Sequence, residues 1–111
     1  MKLSQQQSAF TQDVVKLLTW MFDNGYAVTF AEAYRTPEQA AIYAKDGRGI
    51  KDSLHCQRLA IDLNLFKDGN YLTNTEDYEP AGIYWESLNP LNKWGGRFTR
   101  KDGNHFERKP E

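Results

Sequence analysis

The sequence contains a single cysteine, Cys56, in 111 residues, so an intramolecular disulfide is excluded. Without that crosslink, folding does not depend on an oxidising compartment. One cysteine and two histidines also cannot build the usual structural zinc site, which is closed by four protein ligands and rich in cysteine. A metal site in this chain would therefore have to use histidine and carboxylate side chains.

Long apolar runs and an excess of basic charge are missing as well. No apolar run approaches the roughly 18–20 residues that span a bilayer, and the polar N-terminal segment lacks the apolar region of a signal peptide. A formal net charge of -1 gives no electrostatic reason to expect nucleic acid. We therefore expect cytoplasmic synthesis, no membrane or nucleic-acid partner, and a monomer. A target in the cell wall would then require release by another factor.

Three segments have the features of helices. After the possible N-cap Ser4, apolar residues from Phe10 onward recur every three or four positions, and Gly25 suits the left-handed position after a helix end. Thr36 followed by Pro37 is a favoured helix start. The sequence therefore predicts helices over 5–23, 37–45 and about 78–88.

Short β-rich runs separate and follow these helices. The run 59–66 alternates apolar and other residues, which predicts a strand with one apolar face and Asp62 on the opposite face. Lys67–Asn70 has the composition of a hairpin turn, and 46–54 that of a loop. Further strands are expected at 26–30, 71–72 and 105–107. The whole pattern predicts one α+β domain over 1–111, with helices flanking a small, mostly antiparallel sheet.

Both histidines lie near acids. His55 precedes the strand that carries Asp62, and His105 follows Asp102 by three positions. Two histidines and an aspartate with a fourth position left to water form a catalytic kind of zinc site. The plainer alternatives are ordinary surface or core histidines and a solvated turn aspartate. Cys56 is a competing soft ligand, but neighbours on an extended chain point apart, so we interpret it as a small buried residue.

Three blocks of residues, in their order along the chain, resemble the M15 family of zinc peptidases. The resemblance spans roughly residues 26–107. The family includes D-alanyl-D-alanine carboxypeptidases and dipeptidases, and phage endolysins that cut between L-alanine and D-glutamate in peptidoglycan stem peptides. It implies a Hedgehog/DD-peptidase-like fold. The blocks are Tyr34-Arg35-Thr36-x-x-Gln39, Ser53-x-His55-(x)6-Asp62 and Asp102-x-x-His105-Phe106.

The resemblance also implies roles for these residues. His55, Asp62 and His105 would hold one zinc ion with water in the fourth position. Asp102 would be the general base, and Arg35 would donate to the carbonyl oxygen as it becomes an oxyanion; a surface salt bridge is the alternative for Arg35. Residues expected to line the substrate groove or orient the site are Tyr34, Gln39, Ser53 and Trp94, of which Trp94 is equally suited to the core.

Arg58 departs from the family signature, which has glycine at that position. The run Arg58–Phe66 nevertheless resembles a phage-type branch of the family. A carboxypeptidase needs a cation for the terminal carboxylate of its substrate, and Arg58 or Arg97 could supply it. The resemblance thus implies a phage endolysin that cleaves L-Ala–D-Glu. The alternatives are a D-Ala–D-Ala carboxypeptidase or dipeptidase, and a non-catalytic peptidoglycan-binding module, against which the intact Asp102 argues.

Overall fold

A computed structural model of the chain describes residues 1–47 and 53–111. This part of the chain contains three α-helices, five strands and two short 3-10 turns, which confirms the expected α+β class. Most of the loop expected at 46–54 lies outside the described residues. The elements are α1 (Leu3–Asp23), β1 (Ala27–Phe30), α2 (Pro37–Lys45), a 3-10 turn (Leu54–Gln57), β2 (Ala60–Lys67), β3 (Asn70–Tyr71), α3 (Thr75–Leu88), β4 (Asn92–Trp94), a 3-10 turn (Gly95–Arg97) and β5 (His105–Arg108).

The sheet is antiparallel, with strand order β1-β2-β5-β4 and β3 paired to the end of β2. The predicted hairpin joins β2 to β3. Asp68 and Gly69 both have positive φ, 51° and 80°, as a two-residue turn of the hairpin type requires. Among the described helices, none combines the length and the apolar character needed to cross a membrane.

The first and third helices begin earlier than predicted. In α1 the cap is Lys2 rather than Ser4, because the side chain of Gln5 accepts a hydrogen bond from the Lys2 N–H at 2.8 Å. A capping box between Asn74 and Asp77 starts α3 at residue 75. The helix then continues through Pro80, whose ring nitrogen cannot donate to the carbonyl one turn earlier. The caps therefore determine both starts.

Strand β4 was not predicted, because three residues are too few to show a period of two. Its place in the sheet depends on Asn92, which is 1% exposed. The Asn92 amide donates to the main-chain oxygen of Trp85 and to Asp13, both at 3.1 Å. The strand is therefore held by contacts with α3 and α1 that are distant in sequence.

The core lies between the sheet and the helices α1 and α3. The predicted apolar face of β2 is confirmed, since Leu59, Leu63 and Leu65 are fully buried. Trp85 packs edge-on against Phe10 and Phe106, with ring centroids 5.6 and 6.2 Å apart. With this face of β2 and β5 in the core, the opposite face remains for polar side chains.

Trp94 belongs to the core, and only 2% of it is exposed. Its ring occupies the space that a Cβ atom on Gly82 of α3 or on Gly96 would need. Its indole N–H donates to the main-chain oxygen of Gly103 at 2.7 Å. Trp94 therefore connects α3 to the loop between the second 3-10 turn and β5.

The contact between Gly82 and the Trp94 ring predicts a cost for any side chain at position 82. We expect Gly82→Ala to lower the free energy of unfolding by about 2–3 kcal/mol, because the rigid ring must move. Urea denaturation measures the change. Ile83→Ala, at an exposed position of the same helix, is the control and should change stability by about 0.5 kcal/mol or less. Equal stability of the Gly82 variant and the parent protein would contradict the packing.

Candidate metal centre

The β2–β5 pairing brings two of the predicted ligands together. Asp62 and His105 are directly opposite each other, so their side chains lie on the same face of the sheet. The Asp62 Oδ1 atom is 2.9 Å from His105 Nδ1. His55 Nε2, from the 3-10 turn before β2, is 3.3 Å from the same oxygen. These three donor atoms all lie within 4.8 Å of one another, so they could hold one metal ion.

The remaining ring nitrogens have partners that orient both imidazoles. His55 Nδ1 lies 3.1 Å from the carbonyl oxygen of Ala33, and His105 Nε2 lies 2.7 Å from a Glu107 oxygen. Metal-binding histidines usually donate their other N–H to a carbonyl or a carboxylate in this way. His55 Nε2 and His105 Nδ1 therefore face the common centre. Two nitrogens and one oxygen, with one side open to a cleft, fit a four-coordinate zinc ion.

Hydrogen bonds outweigh burial in setting the charges of two predicted ligands. Burial by itself would raise the pKa of Asp62, but hydrogen bonds from His105 and His55 lower that pKa to about 2. Burial by itself would lower the pKa of His105, but Asp62 and Glu107 raise that pKa to about 9. In the metal-free protein His105 therefore carries a proton that a metal must displace. Metal affinity should consequently decrease as the pH is lowered.

Asp102 lies beside the three-atom cluster and outside it. Its Oδ2 atom is 3.8 Å from His105 Nδ1, and about half of its side chain is exposed. The Asp102 main chain accepts from the His105 N–H at 3.1 Å and donates to the Gly95 oxygen at 3.0 Å, which holds the residue in place. Burial and the negative charge of Asp62 raise the pKa of Asp102. A proton acceptor beside the metal position fits this arrangement.

Arg35 also lines the cleft. Its guanidinium forms an ion pair with Glu32, whose carboxylate oxygen is 3.8 Å from His55 Nε2. The main-chain N–H of Arg35 also donates to the main-chain oxygen of His55 at 3.3 Å. The side chain of Arg35 is 13% exposed. Arg35 is therefore held at the site by an acid and is not a free surface cation.

Two acids at the site, Glu32 and Glu107, were not predicted from the sequence. Glu107 had a usable signal, because it stands two residues after His105 on a strand and so shares its face. For Glu32 the sequence offered no signal beyond its position after β1. The continuation of the β1–β2 pairing places Glu32 at the site, because the Asp62 main-chain N–H donates to the Glu32 main-chain oxygen at 2.8 Å.

The other predicted site residues divide between the cleft and the surface around it. Ser53 lines the cleft and accepts a hydrogen bond from the His55 N–H at 3.2 Å. Tyr34 is exposed and Gln39 half-buried on α2, and neither lines this cleft. Cys56 lies in the 3-10 turn and is half-buried. The expectation of a small buried cysteine in an extended segment was therefore wrong.

Arg58 takes the left-handed conformation, with φ 56° and ψ 38°, at the end of the 3-10 turn. This backbone geometry is the one that glycine adopts most easily, which gives a physical reason for glycine at this position of the family signature. The Arg58 guanidinium stacks 4.0 Å from the centre of the Tyr34 ring. Arg97 pairs with Glu86 at 2.6 Å. Neither arginine lines the cleft, so neither is placed to bind a substrate carboxylate there.

The positive φ at position 58 predicts a difference between two substitutions that both remove the stacking on Tyr34. Alanine retains the steric cost of the left-handed conformation, whereas glycine relieves it. We expect Arg58→Gly to have a free energy of unfolding about 1 kcal/mol higher than Arg58→Ala. Urea denaturation of both variants tests this, and an alanine variant as stable as the glycine variant would argue against the assigned backbone.

The raised pKa of His105 predicts how stability depends on pH in the metal-free protein. Because the pKa rises from 6.5 to about 9 on folding, the stabilisation is complete below pH 6.5 and disappears as pH increases through 9. We expect the free energy of unfolding of chelator-treated protein to fall by on the order of 2 kcal/mol across this range. Urea denaturation at pH 6 and 9.5 measures it. His105→Gln should show no such decline, and a flat profile in the parent protein would refute the assigned contacts.

Comparisons with known proteins agree with this geometry. A family model described as D-alanyl-D-alanine carboxypeptidase, of the M15 peptidases, matches residues 46–108. The fold is similar to that of the L-Ala D-Glu endopeptidase ChiX of Serratia marcescens, with a TM-score of 0.72 and 19% sequence identity. That match covers 88% of this chain and 79% of the other. No curated protein matches the chain significantly in sequence. The family match extends over more than half of the chain, which belongs to the M15 family of peptidases.

Proposed function

We propose that the protein is a zinc peptidase that hydrolyses the L-Ala–D-Glu bond in peptidoglycan stem peptides. The observation that carries the proposal is the convergence of His55 Nε2, Asp62 Oδ1 and His105 Nδ1 on one point. That point lies at a cleft of about 500 Å³ which also contains Arg35 and Asp102. The donor set of two imidazoles and one carboxylate is typical of catalytic zinc.

The chain supplies an oriented ligand set for this ion. Ala33 holds the His55 ring through its carbonyl oxygen, and Glu107 holds the His105 ring through its carboxylate. When bound, zinc polarises the scissile carbonyl and lowers the pKa of a coordinated water towards about 7. The low pKa of Asp62 keeps its carboxylate ionised at neutral pH, as a metal ligand must be.

Asp102 is the group that moves the proton in this proposal. It lies close to the ligand His105 without joining the ligand set, so its carboxylate is available to accept a proton from the attacking water. The same carboxyl group then donates that proton to the leaving amine. Burial and Asp62 raise the pKa of Asp102 above that of an ordinary aspartate, which favours both transfers.

Arg35 lines the same cleft as Asp102. Its guanidinium would donate to the carbonyl oxygen as negative charge develops there. Glu32 has a positioning role, because its ion pair with Arg35 sets where the guanidinium lies relative to His55. The pair also prevents a buried arginine charge from being left uncompensated.

The scissile bond is proposed from resemblance. The fold match to an L-Ala D-Glu endopeptidase and the phage-like run Arg58–Phe66 support an endopeptidase, which we propose acts as a phage endolysin on the wall after its release. A D-Ala–D-Ala carboxypeptidase is the second candidate, since that is the description of the matching family model. The acid at position 102 and the paired Arg35 support catalysis over mere binding of peptidoglycan.

Digestion of purified peptidoglycan distinguishes these candidates. We expect the zinc-loaded protein to create new N-terminal D-glutamate, detected by mass spectrometry of labelled peptide ends. Release of free D-alanine would support the carboxypeptidase instead. Absence of any new end with zinc-loaded protein, under conditions where a known wall peptidase is active, would refute the proposed function.

Removal of the general base should separate metal binding from turnover. We expect Asp102→Asn to retain one zinc per chain and to lose cleavage by about 10²–10⁴-fold, because the proton acceptor is gone while the ligands remain. Metal analysis and peptide cleavage assays measure the two effects. Asp23→Asn, at an exposed position, is the matched control and should resemble the parent. His105→Ala should lose the zinc itself, and full activity in Asp102→Asn would remove Asp102 from the mechanism.

A further inference from the structure

The cleft beside the candidate metal centre contains an unusual concentration of positive charge. Among the described residues three cations line it, namely Arg35, Arg100 and Lys101, although the chain as a whole has a net charge of -1. Two acids, Asp102 and Glu107, also line it. Glu107 is bonded to His105, and Asp102 lies beside the metal position. The two acids are therefore accounted for by the metal position, and the cations that line the cleft have no role in holding a metal.

Two of these three cations have no acidic partner in the part of the chain that the structure describes. Arg35 pairs with Glu32. Within residues 1–47 and 53–111, no carboxylate forms an ion pair with Arg100 or Lys101. Arg100 donates one hydrogen bond from Nη1 to the main-chain oxygen of Gly47 at 3.2 Å, and this neutral acceptor holds the side chain without offsetting its charge. An anion that enters the cleft would meet this charge.

The main chain keeps these cations close to the reacting groups. Arg100 and Lys101 directly precede Asp102, whose N–H donates to the Gly95 oxygen. Gly95 packs so closely that a Cβ atom there would lie 2.8 Å from the His105 Cβ atom. The segment 100–102 is therefore held against a predicted metal ligand. Its two cations line the same cleft as Asp102, the proposed proton donor for the leaving amine.

We propose that Arg100, assisted by Lys101, binds a carboxylate on the leaving residue of the substrate, one carbon from the amine nitrogen that Asp102 protonates. The inference rests on the proposed function and specifies its substrate class. In a stem peptide, D-glutamate is joined onward through its side chain, so its α-carboxylate is free at this position. A terminal D-alanine has a carboxylate at the same position, so the chemistry is shared by both candidate bonds.

An arginine suits this task because its planar guanidinium can donate to both oxygens of a carboxylate. Lys101 contributes a compact positive charge, and it also borders a second groove that contains Glu76 and Glu79. We therefore assign the larger part to Arg100. Charge-assisted hydrogen bonds of this kind correspond to about 10- to 100-fold in affinity.

The test uses two matched pairs of peptides with zinc-loaded protein. In the first pair, a stem tripeptide contains D-glutamate with either a free α-carboxylate or an α-carboxamide. In the second, a peptide ends in D-Ala–D-Ala with either a free carboxylate or an amide. We expect the parent to prefer the acid of the pair that it cleaves by about 10- to 100-fold in kcat/KM, chiefly through KM. The cleaved pair identifies the source of the carboxylate.

Substitutions assign that preference to residues. Arg100→Gln should reduce the acid-to-amide ratio to near one, chiefly because KM for the acid increases, and Lys101→Gln should reduce the ratio by a smaller factor. Arg97→Gln is the matched control, because Arg97 pairs with Glu86 away from this cleft. It should retain the parental ratio.

Binding provides a readout that does not depend on turnover. Calorimetry with zinc-loaded Asp102→Asn should show tighter binding of the acid than of the amide, and Arg100→Gln in that background should remove the difference. Equal affinities for acid and amide, or a preference that survives both substitutions, would overturn the inference. If no peptide is cleaved but the Arg100-dependent preference remains, the proposed peptidase activity fails and the carboxylate site stands.

Discussion

The hydrogen bond between Asp62 and His105 is the contact on which the rest of the site depends. It joins two strands that are distant in sequence but directly opposite in the antiparallel register. The other faces of the same strands place Leu63 and Phe106 in the core. A slip of one residue would move the core side chains to the site and the candidate ligands into the core. The hydrophobic core therefore sets the geometry of the candidate ligands.

Groups outside the predicted ligand set also hold the site in its geometry. The main-chain oxygen of Ala33 and the carboxylate of Glu107 orient the two imidazoles, and both belong to segments that the sheet positions. Trp94, held between Gly82 and Gly96, fixes the start of the loop that leads to Asp102. Because these supports are built from backbone and buried side chains, the site should be rigid before a metal or a substrate arrives.

Charge is distributed unevenly among the cations that line the cleft. The guanidinium of Arg35 is held in place by its ion pair with Glu32. Arg100 and Lys101 line the same cleft and form no ion pair with an acid among the described residues. The positioned Arg35 is thus suited to donate to an oxygen at which negative charge develops, and the other two cations to receive a charge that the substrate already has.

The sequence by itself determined the candidate ligands His55, Asp62 and His105, the alternation that puts Asp62 on the strand face away from Leu63 and Leu65, the start of α2 at Thr36-Pro37 and the hairpin turn at Asp68-Gly69. These features depend on side-chain chemistry and on local backbone geometry, which a few neighbouring residues specify. Only the tertiary structure decided the short strand β4, the burial of Trp94, the place of Glu32 beside His55, the left-handed backbone of Arg58 and the position of Arg100 at the cleft. Each of these depends on strand register and packing between segments far apart in the chain, which local patterns do not specify.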